Sequence, residues 1–243
     1  MWLINRMQLD LLPVRTGGAA ENMAVDFLLL QRYPDEAHAR FRHYDWRAPA
    51  FTFGYGQKIA YVRQQLPPDE HVELCRRPTG GGVVDHRADW TYTLVVPRRH
   101  ALYDERATQS YRIVHEVLAR SLQFQGQAVE LKPCAPSVDS DETGAPTICF
   151  NRAEVFDVVN PVTGAKVAGA AQKRNKHGLL FQGSIWKPAV GTIDWDLFQD
   201  AFTSGLSSAL ASEPVETSWP DFAENEVEGL IEQYSSTEWV EYR

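Results

Sequence analysis

Three segments of the chain carry side chains and backbone whose types and spacing suit chemistry. The first reads Arg76-Arg77-Pro78-Thr79-Gly80-Gly81-Gly82-Val83-Val84-Asp85-His86. Three successive glycines let the main chain approach a ligand closely and turn several N–H donors inward. Such a nest suits a phosphate, a carboxylate or a developing oxyanion, and two arginines directly upstream add charge-assisted donors. A glycine-rich hairpin with a solvated arginine pair is the competing reading. Neither GxxxxGK[ST] nor GxGxxG occurs here, so the segment is not a standard nucleotide loop. The second segment, Gly164-Ala165-Lys166-Val167-Ala168-Gly169-Ala170-Ala171-Gln172, sets a lysine among small residues. Small neighbours leave room for a ligand beside the ammonium, which can then polarise a carbonyl or neutralise a phosphate. An exposed turn lysine is the plainer alternative. The third is Ile148-Cys149-Phe150. A nearby ammonium would lower the thiol pKa and supply the thiolate that a nucleophile needs. Cys75 and Cys134 read as small packing residues.

These segments must be held by ordered elements. Gly17-Gly18 marks a turn before a helix over 20–33, with Met23, Phe27, Leu28 and Leu30 at helical spacing and Pro34 closing it. Aromatic-rich runs at 39–44 and 50–55 predict strands, and 90–96 (Trp-Thr-Tyr-Thr-Leu-Val-Val) is the strongest strand signal in the chain. A second helix is expected over 105–124, with Tyr111, Val114, Val117, Leu118 and Leu122 on one face and Gly126 beyond its end. Residues 133–147 are a polar stretch expected to be a flexible loop or lid. Strands at 155–159, 166–168 and 179–185 and helices at 195–211 and 224–234 follow. Strands and helices mix without βαβ alternation. The pattern predicts an α+β fold with a mixed, mainly antiparallel sheet and flanking helices, as one domain over 1–243.

Composition narrows the function classes. With 243 residues, 44% hydrophobic and 23% charged, the chain can bury a core without disulfide staples. A net charge of −8 argues against a general phosphate-backbone binder, so no nucleic-acid partner is expected. Lys173–His177 is a local positive run, readable as a patch that steers an acidic partner surface or as a solvated hairpin tip. Three cysteines without metal-ligand spacing point to reduced thiols and no metal site. Residues 1–12 lack a signal-peptide pattern, and no apolar run of about 18 residues marks a membrane span. A cytoplasmic address is the expectation.

Taken together, these segments resemble the lipoate-protein ligase and octanoyltransferase superfamily, which shares its catalytic domain with biotin-protein ligases. The resemblance rests on Glu21-Asn22-Met23-Ala24-Val25-Asp26, Gly54-Tyr55-Gly56-Gln57, the arginine–glycine loop with His86, Lys166 to Arg174, Gly183-Ser184-Ile185, and the terminal Tyr234-Ser235-Ser236-Thr237-Glu238-Trp239. The GRGRxGR-type loop of biotin ligases is missing. The resemblance implies a biotin/lipoate-protein-ligase-like catalytic domain with a pocket for a medium-length acyl chain. The acyl group would end on a lysine of a lipoyl carrier protein, such as glycine-cleavage H protein or a 2-oxoacid dehydrogenase E2 domain. Lys166 would contact the acyl carbonyl. Gly80, Gly81 and Gly82 would line the pocket, Arg76 and Arg77 would anchor or shape the loop, and His86 and Gly169 belong to the same substrate-binding set.

Two chemistries share this scaffold. Cys149-Phe150 resembles the Cys-Phe element of cysteine-dependent octanoyltransferases, as does the Thr-Tyr ending of His86–Thr93. That branch implies octanoyl-acyl carrier protein as donor, a Cys149 thioester and no cofactor. The alternative is an ATP- and Mg²⁺-dependent ligase that activates lipoate as lipoyl-AMP, with Lys166 as its key residue. A third reading is a non-catalytic carrier-binding homologue. Two departures stand out. The family's His-Asp pair is replaced by His86-Arg87, with carboxylates nearby at Asp85 and Asp89, and His-Gly-Ser is replaced by Gln182-Gly183-Ser184. Arg87 at the pocket mouth would favour a phosphate-bearing donor.

Overall fold

Strand Asp89–Pro97 is buried along its whole length, and the molecule is arranged on its two faces. The computed structural model describes residues 7–134, 153–223 and 225–242. In chain order these form β1 (Met7–Leu11), β2 (Arg15–Gly17), α1 (Ala19–Gln31), β3 (His38–Trp46), β4 (Ala50–Phe53), α2 (Ile59–Arg63), β5 (Glu73–Arg76), β6 (Val83–Asp85) and β7 (Asp89–Pro97). Then come α3 (Ala101–Asp104), α4 (Ala107–Phe124), β8 (Glu130–Leu131), β9 (Val158–Val159), β10 (Lys166–Asn175), β11 (Gly178–Trp186), α5 (Trp195–Ala209), β12 (Ser212–Glu216), α6 (Glu226–Ser235) and α7 (Thr237–Val240).

The large sheet runs β12-β1-β3-β7-β11-β10-β9-β8, with β2 beside β3, and a small sheet runs β5-β4-β6. Pairing from β3 through β8 is antiparallel, while β1 is parallel to both β3 and β12, so the sheet is mixed and mainly antiparallel as expected. Side chains alternate across a strand. Trp90, Tyr92, Leu94 and Val96 join Leu179, Phe181 and Ile185 in the main core under α4 and α5. Val95 and Leu180 turn the other way, towards Val25, Leu29 and Leu30 of α1. The second face also carries Thr91, Gln182 and Ser184, the polar residues of the site.

The expected elements are present with shifted ends. The helix expected over 105–124 is divided, because Glu105 is extended between α3 and α4. The strand expected over 155–159 keeps only Val158–Val159, since Phe156 sits at φ 67 and breaks the ladder. The strand at 166–168 continues to Asn175, paired along β11. The polar stretch 133–147 lies outside the described residues beyond Cys134, and Cys149 lies outside them entirely. Among the described residues no helix is long and apolar enough to cross a membrane.

Candidate active site

The glycine loop links β5 to β6 and folds down over β4. Gly54 makes this closure possible: a Cβ there would collide with the Gly81 carbonyl and approach the Gly80 carbonyl oxygen to 2.8 Å. Gly81 itself takes φ 89, a conformation that favours glycine. The loop is then bonded from both sides. Tyr55 N donates to Thr79 O at 2.8 Å, and the Arg77 guanidinium donates to the carbonyls of Gly80 and Gly82 at 2.9 and 3.0 Å. Arg76 turns elsewhere. Its buried guanidinium donates to the carbonyls of Tyr55, Gln57, Trp239 and Val240, which clamps the C-terminal helix α7 to the small sheet.

Between this loop, α1 and the large sheet lies a partly enclosed pocket. Met23, Tyr44, Val84 and the small residues Gly169, Ala170 and Ala171 supply apolar wall. A buried polar chain supports it. Arg77 donates to Thr52 Oγ1 at 2.8 Å, Thr52 Oγ1 lies 2.7 Å from His86 Nε2, and His86 Nδ1 lies 2.6 Å from Asp89 Oδ2. Arginine can only donate. The chain therefore runs Arg77 to Thr52 to His86 to Asp89, with the His86 Nδ1–H on the carboxylate. Asp89 Oδ2 also accepts from Thr91 at 2.9 Å and from Ser184, and Trp46 stacks on the His86 ring at 4.0 Å.

A second network lies beneath. Gln182 donates to Asp26 Oδ2 at 2.6 Å and accepts from Thr79 at 2.7 Å, while Arg42 Nε donates to Asp26 Oδ1 at 2.8 Å. Burial pushes the Asp26 carboxyl upward, and the Arg42 charge beside it opposes that shift.

On the far wall Lys166 is buried, and its Nζ lies 2.7 Å from Asp157 Oδ2. Asp157 is wholly buried and accepts from Glu154 N at 2.6 Å and from the Tyr111 hydroxyl. Burial, followed by the charge of Asp157, pushes the Tyr111 phenol well above its ordinary value, so it stays a donor. Ala170 N donates back to Tyr111 Oη at 3.0 Å. Gly169 must be bare: a Cβ would sit 2.5 Å from Lys166 Nζ and 2.9 Å from Asp157 Oδ1.

Residues 18–204 match the family described as the lipoyl protein ligase A/B catalytic domain. The chain belongs to this family. It is similar to octanoyltransferase LipM of Brevibacillus brevis, 31% identical over 170 residues, which take in 68% of this chain and 61% of that protein. Octanoyltransferase LipM of Halalkalibacterium halodurans is 30% identical over 189 residues, 75% of this chain and 66% of that protein. The matches thus span under two thirds of either relative's length. Protein Ta0514 of T. acidophilum with bound lipoic acid superposes with a TM-score of 0.71 at 19% identity, covering 98% of this chain and 100% of that one. That likeness shows the α+β fold.

Within this family fold, the structure brings Arg77, Gly81, His86, Lys166 and Gly169 to one pocket. Gly80 and Gly82 shape the loop through their carbonyls, and Arg76 serves the C-terminal helix. The missing His-Asp pair is replaced in space, because Asp89 takes the His86 ring. Arg87 is engaged by Asp85 at 2.7 Å and Glu70 at 2.5 Å and is not among the residues that line the pocket. Cys75 is buried, with its thiol pushed up to about 12 by desolvation, so it is no nucleophile. Cys134 is exposed rather than packed. Sequence reasoning missed Asp157, Tyr111 and Thr52. An aspartate heading the Val158–Val159 strand was the available signal for the first, since a buried acid needs a partner.

Proposed function

We propose that the protein transfers an octanoyl group to a specific lysine of a lipoyl carrier domain, taking it from octanoyl-acyl carrier protein through a thioester on Cys149. The observation that carries this reading is the buried Lys166 ammonium, held by Asp157 on the wall of a largely apolar pocket in a lipoyl-ligase-type domain. A largely apolar pocket with a buried ammonium at its wall suits an acyl chain with a polarised carbonyl. Kinship to proteins named octanoyltransferase LipM supports the transferase over the ATP-dependent ligase. Cys149 precedes the described Ala153 by four positions, a tether of at most about 15 Å.

In the first step the Cys149 thiolate attacks the donor thioester carbonyl. A new C–S bond forms, the old one breaks, and the carrier thiolate leaves. In the second the lysine amine of the lipoyl carrier attacks the Cys149 thioester, the amide C–N bond forms as the C–S bond breaks, and the amine's proton passes to the leaving Cys149 sulfur. No redox cofactor or nucleotide enters either step, and the address that suits a free thiol is the cytoplasm.

The test is intact-protein mass spectrometry of the wild type and Cys149→Ala with octanoyl-acyl carrier protein, and separately with lipoate, ATP and Mg²⁺. A hydroxylamine-labile octanoyl adduct on the wild type alone is expected. No adduct, with lipoate-dependent AMP release that survives Cys149→Ala, would make the protein a ligase. Carrier binding without turnover from either donor would make it a non-catalytic homologue.

A further inference from the structure

We infer that Asp157 is the positioning residue of the acyl-transfer site, seated by Tyr111 and Glu154 so that it aims the Lys166 ammonium at the acyl carbonyl; this rests on the acyl-pocket reading given above. An ammonium carries three N–H donors. Lys166 is ion-paired with Asp157 at 2.7 Å, and among the described residues no other carboxylate pairs with it. Its side chain is only 8% exposed, and the residue lines the pocket. The described residues therefore leave donors of this ammonium for whatever enters the pocket.

The carboxylate is held more firmly than a simple counter-ion requires. One oxygen is shared between Lys166 and the Glu154 amide at 2.6 Å, and the other receives the Tyr111 hydroxyl. Tyr111 is itself fixed by Ala170 N on the same strand as Lys166. The backbone before Asp157 is strained to deliver it. Phe156 is a bulky residue at φ 67, a conformation that persists only where the surroundings impose it. His115 Nδ1 holds the Phe156 carbonyl at 2.7 Å, and Lys132 N holds the Asp157 carbonyl at 2.8 Å. Bare Gly169 completes the cradle, because any side chain there would displace the ammonium. A side chain held on every side beneath a lysine with unspent donors is placed for aim.

The experiment compares wild type, Asp157→Asn, Asp157→Glu and Tyr111→Phe by two readouts, with thermal melts as the check on folding. Steady-state transfer uses whichever donor the wild type accepts. Asp157→Asn is expected to lower kcat on the order of 100-fold with little change in KM for the acyl donor, the size expected when a reacting group is misplaced by about 1 Å. Asp157→Glu should recover part of the loss, and Tyr111→Phe should lose less than Asp157→Asn. The second readout is the NMR signal of the ¹⁵N-labelled Lys166 ammonium, assigned by its loss in Lys166→Met, with octanamide added as an uncharged carbonyl probe. Octanamide should shift that signal in the wild type and leave it unmoved in Asp157→Asn. Wild-type kcat in a folded Asp157→Asn protein, a defect confined to KM, or an equal octanamide shift in both proteins would overturn the proposal. A wild type that transfers from neither donor would sink the transferase reading, and the octanamide readout would still decide the role of Asp157.

Discussion

Gly169 shows how much of the candidate site depends on an atom that is missing. A methyl group there would lie 2.5 Å from the Lys166 nitrogen, so Gly169→Ala is expected to push the ammonium out of line. We expect transfer to fall roughly 100-fold while the melting temperature moves little, because the displaced group is the end of a flexible side chain; rate and melt measured side by side check this. The sequence disclosed Gly169 through its small-residue surroundings and the loop glycines through their run. It did not disclose Asp157, because nothing in Phe-Asp-Val-Val says that a lysine nine positions later will be its partner. Asp89 was visible as a carboxylate near His86, but only the β7 hydrogen bonds decide that it, rather than Asp85, takes the ring.

Strands β7 and β11 carry the site by alternation. Trp90, Tyr92, Phe181 and Ile185 fill the core face, while Thr91, Gln182 and Ser184 occupy the other. The centre of the sheet was expected from its aromatic and β-branched residues. Its edges were not, because β8 is two residues long and β12 is largely exposed, too little patterned to stand out. Nor does composition tell which arginine serves the loop and which serves the chain end. Arg76 serves the end: with its guanidinium gone, four carbonyls lose their donor. Arg76→Met is expected to cost about 3 kcal/mol, as buried acceptors left unpaired do. It should also make α7 an early site of limited proteolysis; a urea midpoint and a digestion time course give both readings.

The buried ionic groups set the conditions under which the entire fold survives. Arg42 and Asp26 lie 2.8 Å apart with side chains 1% and 0% exposed. Removing one partner strands the other, so Arg42→Met should destabilise by about 3–5 kcal/mol in urea unfolding. Acid acts through His115, whose imidazole is pushed down to about 4 by burial. Its unfolded value is near 6.5, so between about 6.5 and 4 the unfolded chain takes up a proton that the folded chain refuses. The stability it lends is complete above that window and drains as pH falls through it, on the order of 3 kcal/mol in all. Denaturation midpoints at pH 7.5 and 4.5 should therefore differ, and His115→Gln should narrow the gap; His43, also lowered by burial, works in the same sense.

The parallel seat of β1 between β3 and β12 bears on how the protein is made. Met7 pairs with Ser212, so β1 waits for β12, far later in the chain, before both its edges are covered. Until then it offers an open row of amides and carbonyls to any neighbour. A chain terminated at residue 211 should consequently be recovered as aggregates, and supplying residues 212–243 as a peptide in trans should restore soluble protein.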